Sequence, residues 1–227
     1  MIDMERKIME FLNRLTENNT REWFNANKNE YEEARKAFLI GVGQVIEMLT
    51  PTNLGYAQIK PADCIFRIYR DVRFSKDKSP YKTHFGAYLS VGGRKSPMSG
   101  HYFHVEPGNS FIAGGVYSPD SELLKAIRSE IYFNPKEFVS ILEQPDFVKY
   151  FGALGGDRLK NPPAGFDKES PVVDYLKHKS FVVMHPVADE KLYEKGFPVN
   201  HLHVFEAINP LNAFLNRGIL NKADETH

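Results

Sequence analysis

"GHYFHVEPGNSFIAGGVY", residues 100–117, is the stretch whose reading decides the fold class. Its first half alternates: His101 falls on one face of an extended segment, and Tyr102, His104 and Glu106 fall on the other. "PGN" (107–109) is a hairpin-type turn, and "SFIAGGVY" (110–117) runs back as a second strand. Upstream, "FGAYLSV" (85–91) reads as another strand, joined to the first by the Gly/Ser/Pro loop "GGRKSPMSG" (92–100). Before it, "CIFRIYRDVRF" (64–74) also alternates at period two. Phe66, Ile68, Val72 and Phe74 share one face with Arg70 interrupting it, and Arg67, Tyr69, Asp71 and Arg73 share the other. Four strands in succession, with connections too short for crossover helices, predict an antiparallel meander.

Helical periodicity brackets this sheet. Ile8, Phe11, Leu12 and Leu15 predict a first amphipathic helix. Thr20 is placed to cap a short helix carrying Trp23 and Phe24. Tyr31, Ala34, Phe38, Val42, Val45, Ile46 and Leu49 form the stripe of a longer helix that Pro51 ends. After the meander, "SPDSELLKAIRSEIYF" predicts a helix opening at Ser118 or Asp120, and "NPKEFVSILEQPDFVKYF" one opening at Pro135. "GGDRLKNPPAGF" (155–166) is a long loop. A short helix (172–178), a strand "SFVVMHP" (180–186) and a C-terminal helix around "FEAINPLNAFLN" complete the chain. The reading is α+β: a central antiparallel meander flanked by N-terminal and C-terminal helices, in a single domain over 1–227.

Composition bounds the function classes. The 227 residues include 29 Lys and Arg against 29 Asp and Glu, so the net charge is zero and a general polyanion binder is disfavoured. No 18-residue apolar run predicts a membrane span. The N-terminus, with Asp3, Glu5 and Glu10, does not read as a secretory signal. One cysteine, Cys64, excludes an internal disulfide framework and a multi-cysteine metal site, so a cytoplasmic, reducing compartment is expected.

The charge is nonetheless concentrated. Residues 67–82, "RIYRDVRFSKDKSPYK", hold six cations and two acids. Arg offers forked donation to phosphate or carboxylate, and Lys a point charge. The segment therefore predicts a cradle for a small anionic ligand, formed by Arg67, Arg73, Ser75, Lys76, Lys78, Tyr81 and Lys82, with Tyr102 lining the pocket over the sheet. Arg67 and Arg73 stand about 20 Å apart on a straight strand at ~3.3 Å per residue, so both reach one ligand only if the strand bends. The other reading is an internal ion-pair network. Arg70, on the apolar face, requires a partner in either case. Neither a P-loop nor a Rossmann turn is present.

"RIYRDVRFSKDKSPYKTHFG" (67–86) resembles the signature of the DUF2461 family of uncharacterised proteins. "NNTREWFNANKNEY", "GHYFHVEPGNSFIAGGVYSP", "LKNPPAGFDKESP" and "LKHKSF" are similar to further family segments. The resemblance implies one globular domain of bacterial type and carries no catalytic assignment. "NPPAGF" departs from a more usual "PRGF", lacking an Arg near Pro163.

Three function classes follow from the residues. The first is the anion pocket, in which His104, oriented by Glu106, is the candidate general acid–base. The second is a metal-dependent hydrolase with His84, His104 and Glu106 as ligands, since His104 and Glu106 share a face and His84 opens the neighbouring strand. The simpler account of those three is hydrogen-bonded pocket lining. The third is an interaction module for nucleic acid or protein, weakened by the zero net charge. Gly114 and Gly115 inside a strand suggest a close approach above the sheet, and room for the ligand that Arg73 and Lys76 hold. The sequence names no cofactor.

Overall fold

The computed structural model describes residues 4–194 and 196–224. The N-terminal stripes become α1 (Met4–Glu17), α2 (Arg21–Ala26) and α3 (Lys28–Leu49), followed by a 3-10 turn and the short α4 (Pro61–Cys64). Thr20 caps α2 as expected, its side chain accepting from the Trp23 N–H at 3.2 Å. The stripe from Ala34 to Leu49 is buried. Strands β1 (Phe85–Leu89), β2 (Gly100–Val105), β3 (Ser110–Val116) and β4 (Phe181–Val187) form one antiparallel sheet in chain order. Between β3 and β4 lie α5 (Ser121–Phe133), α6 (Pro135–Leu142), α7 (Pro145–Phe151) and α8 (Val173–Leu176). After β4 come α9 (Asp189–Leu192) and α10 (Leu202–Asp224). The fold class is the α+β architecture the alternation predicts.

Two elements differ from expectation. Residues 64–74 form no regular strand. Ile65 and Tyr69 make single antiparallel bridges to Ala87 and Tyr81, and the last pairing bond runs from the Arg70 N–H to the Pro80 carbonyl at 3.0 Å. Pro80 has no N–H to return, so the ladder loses its next rung there. Phe74, expected on the apolar face, is 95% exposed. The second difference lies in 134–151, where one helix was expected and two form. Pro145 stands at the first position of α7, because its ring cannot continue α6.

The chain divides into two compact units. The first takes in residues up to Arg94 with Tyr102–Ile112 and Pro186–Leu202. Its core is aromatic: Phe38 of α3 stacks on Phe85 of β1 at 5.3 Å and on Phe103 of β2 at 5.5 Å, and Phe11 of α1 meets Phe85 at 6.3 Å. Phe85, Ala87, Phe103 and Val105 are thereby buried against the helices. The alternate residues His84, His104 and Glu106 point to the opposite face, which carries the site described below.

The second unit comprises Lys95–His101, Ala113–His185 and His203 onward. Phe138 of α6 packs on Phe214 of α10 at 5.2 Å and on Tyr175 of α8 at 5.4 Å. The two strand glycines mark the close approach expected of them, and what approaches is the protein's own packing. A Cβ on Gly114 would come within 2.3 Å of Ile208 in α10, and one on Gly115 within 2.0 Å of the Phe181 carbonyl oxygen in β4.

His101 is fully buried in this unit, its Nε2 3.0 Å from the Phe205 carbonyl oxygen. Burial holds its pKa down at about 4, against the hydrogen bonds to Phe205 and Asn209. The unfolded chain takes up this proton near pH 6.5, so the stability is complete above that pH and falls as the pH drops from about 6.5 towards 4. Urea unfolding is expected to give about 2 kcal/mol less stability from this group at pH 5 than at pH 7.5. The difference should shrink by that amount in His101→Leu, and an unchanged pH profile in the variant would refute the assignment.

Candidate functional site

The site sits on the exposed-side face of β1 and β2. Alternation along β2 puts His104 and Glu106 side by side, and antiparallel pairing brings His84, just before β1, next to them. The His84 and His104 rings lie 4.3 Å apart. His104 Nε2 is 3.3 Å from Glu106 Oε2, and His84 Nδ1 is 3.9 Å from Glu106 Oε1. One potential ligand atom from each of the three lies within 4.8 Å of the others. They open onto a cleft of about 450 Å³ also lined by Thr16, Asn19, Arg70, Asp77, Ser79, Tyr81, Lys82 and Thr83.

Glu106 and His104 are each held by neighbours. Thr83 Oγ1 donates to Glu106 Oε1 at 2.8 Å, and Asn109 Nδ2 donates to Glu106 Oε2 at 2.9 Å. The Tyr102 hydroxyl is 3.0 Å from His104 Nδ1. Gly86 makes this possible, because a Cβ there would stand 2.5 Å from the Tyr102 hydroxyl oxygen. Phe111 stacks on the far side of His104 at 4.5 Å.

The protonation states follow from these surroundings. Burial, reinforced by the neighbouring His104, depresses His84 to about 4. Burial also lowers His104, against the pull of Glu106. Burial would raise Glu106, but the bonds from Asn109, Thr83 and His104 outweigh it and hold the carboxyl below its ordinary value. At neutral pH the cluster is two neutral imidazoles and one carboxylate, the donor set of His/Glu metal sites. With Nε2 protonated, His104 donates to Glu106 and accepts from Tyr102. With Nδ1 protonated, it donates to Tyr102 and leaves the Nε2 lone pair open.

The cationic segment divides into spent and unspent charges. Arg70 donates to Asp77, which also accepts from Ser79 Oγ at 2.6 Å. Arg73 clamps Asp71 through Nε at 2.9 Å and Nη2 at 2.7 Å. Lys78 Nζ donates to the Val72 carbonyl at 2.9 Å. Arg73 and Lys78 are thus engaged within the loop, and Arg73, Ser75, Lys76 and Lys78 do not line the cleft. Tyr81 does line it, but its ring is buried 3.9 Å from Phe24, and both its backbone N–H and its carbonyl bond Asn19. It anchors the cleft wall.

Lys82 differs. Its Nζ lies 5.6 Å from the Phe66 ring centroid, and Arg94 Cζ lies 5.1 Å from the same centroid. Burial, then the like charges of Arg67 and Arg94, lower the Lys82 ammonium pKa. Among the described residues none of Lys82, Arg94 and Arg67 is ion-paired with an acid.

Of the residues named from the sequence, the structure brings His84, His104, Glu106, Tyr81 and Lys82 together at the cleft, with Tyr102 against His104. Sequence reasoning missed Thr83, Asn109 and Arg94. Asn109 was visible as a turn residue three positions after Glu106, and Thr83 as the hydroxyl beside His84. Arg94 lay hidden in a segment read only as loop. Cys64 is buried and its thiol is pushed up to about 11, mainly by burial, as expected of an inert cysteine. No helix among the described residues is long and apolar enough to cross a membrane.

No curated protein and no solved structure matches the chain. A family model described as "Conserved hypothetical protein (DUF2461)" matches residues 7–214, nearly the whole length. The site is thus carried on a chain that belongs to the DUF2461 family.

Proposed function

We propose that the cleft is a metal-dependent hydrolytic site: His84, His104 and Glu106 bind a divalent cation, and an anionic substrate binds beside it. The observation that carries this reading is the convergence of the three side chains, with ligand atoms within 4.8 Å of one another. A tetrahedral ion ~2.1 Å from each donor needs them about 3.4 Å apart, so a closure of order 1 Å gathers them. Supporting features are the neutral histidines, the ionised Glu106, and the Tyr102 hydroxyl placed to accept from His104 Nδ1–H, an outer partner that orients a ligand.

Three protein ligands leave a coordination position for water, whose pKa falls towards ~7 on a zinc ion. In hydrolysis the water oxygen forms the new bond to the substrate's electrophilic centre. The bond to the leaving group breaks, and the leaving group departs with a proton from the water. The same donor set also accepts ferrous ion.

The test is titration of purified, chelator-stripped protein with Zn²⁺, Mn²⁺ and Fe²⁺ by calorimetry, with metal analysis of the untreated protein. One ion per chain is expected. His104→Ala should weaken it more than 100-fold, and Tyr102→Phe 10- to 100-fold. Wild-type protein that binds none of the three, or His104→Ala with unchanged affinity and intact folding, would overturn the reading.

A further inference from the structure

We infer that Lys82 and Arg94, both packed on the Phe66 ring and supported by Arg67, form the subsite for the dianionic phosphate group of a phosphate monoester. This deepens the metal-site reading and rests on it for the placement of the reacting group, but not for phosphate binding itself. Within residues 67–82, Arg70 is engaged by Asp77, Arg73 by Asp71 and Lys78 by a carbonyl. Lys82 and Arg94 are positioned instead by an aromatic face, at 5.6 and 5.1 Å from one ring centroid. A ring fixes a cation without consuming its N–H groups. The ammonium and guanidinium are therefore held in place with donors unspent, the state a receptor for a multiply charged oxyanion requires.

Position supports the same conclusion. Lys82 lines the cleft with His84, His104 and Glu106. Phe66 meets Tyr102 edge-on at 6.1 Å, and Tyr102 bonds His104. Tyr102 thus links the ring that carries the cations to His104 of the metal cluster. Like charges gathered without an acid are relieved more by two negative charges than by one. Arg94 can offer two parallel N–H donors to one phosphate, a geometry Lys82 cannot provide alone.

The experiment is calorimetric titration with inorganic phosphate, glycerol 2-phosphate, dimethyl phosphate and acetate. It is run on metal-free and Zn²⁺-loaded protein, and on Arg94→Gln, Arg67→Gln and Lys82→Gln/Arg94→Gln. Arg94 and Arg67 are exposed, so their single variants keep the fold even if the double variant does not. The two dianions are expected to bind at least 10-fold tighter than dimethyl phosphate and acetate, in metal-free protein as well. Arg94→Gln should lose about 10-fold and the double variant more, with Zn²⁺ affinity unchanged. Glycerol 2-phosphate binding as tightly as inorganic phosphate identifies a monoester site. Inorganic phosphate alone binding would overturn the monoester assignment. Equal affinity for acetate, or unchanged phosphate affinity in Arg94→Gln and the double variant, would overturn the subsite while leaving the metal reading standing. Phosphate binding without any metal binding would sink the metal reading and keep the subsite.

Discussion

Gly115→Ala is expected to lose about 4 kcal/mol or more of stability, enough to prevent folding of a domain of ordinary stability. Gly115 has φ +106°, which L side chains rarely adopt, and the added methyl carbon would sit 2.0 Å from the Phe181 carbonyl oxygen. Backbone strain and overlap with a rigid backbone atom act together, and no side-chain rotation relieves either. Gly93 separates the two effects. It has φ +81° but nothing within 4 Å of its virtual Cβ, so Gly93→Ala should cost about 1 kcal/mol from strain alone. Urea denaturation of both variants measures the difference. A Gly115→Ala protein within 1 kcal/mol of wild type would mean that β4 yields to the added methyl at little cost.

The second large effect concerns Arg217 in α10. Its Nε donates to Glu130 at 2.6 Å, while Nη1 and Nη2 clamp Glu137 at 2.9 and 2.6 Å. Glu130 is only 7% exposed, and its other carboxylate donors are Asn134 and Asn221. Arg217→Met leaves that buried charge with amide donors alone. The cost of breaking a buried pair is 3–5 kcal/mol, but Arg217 is itself partly solvated, so about 2–3 kcal/mol is expected. Glu130→Met together with Arg217→Met should recover much of the loss, because the buried charge goes with its partner. A double variant no more stable than Arg217→Met would show that an unpaired Glu130 charge is not the source of the loss.

The sheet and the helix starts were legible because they are local. Period-two alternation around a Pro-Gly-Asn turn has one reading, and Thr20 and Asp120 cap the helices that their side chains announce. The strand expected over 64–74 failed for a non-local reason. It alternates at period two apart from Arg70, but past residue 70 its partner offers Pro80, which cannot donate. The site divides in the same way. His104 and Glu106 at i and i+2 fix their own adjacency. Which acid each Arg selects is decided by how the loop folds: Asp77 pairs with Arg70 and Asp71 with Arg73, which leaves Arg67, Lys76 and Lys82 of the segment without an acid among the described residues.

The interrupted pairing along β1 has a consequence for the protein's behaviour in concentrated solution. An outer strand with a full row of vacant N–H and C=O groups invites another chain to add itself edge to edge. Here that row is met by an isolated bridge from Ile65 at Ala87, followed before the strand by one from Tyr69 to Tyr81, on a segment dense in Arg and Lys. The opposite margin, at Val182, is met by a bridge from Gly155. A visiting strand would find neither a continuous template nor a neutral one. The stretch that fails as a strand therefore guards the sheet against aggregation.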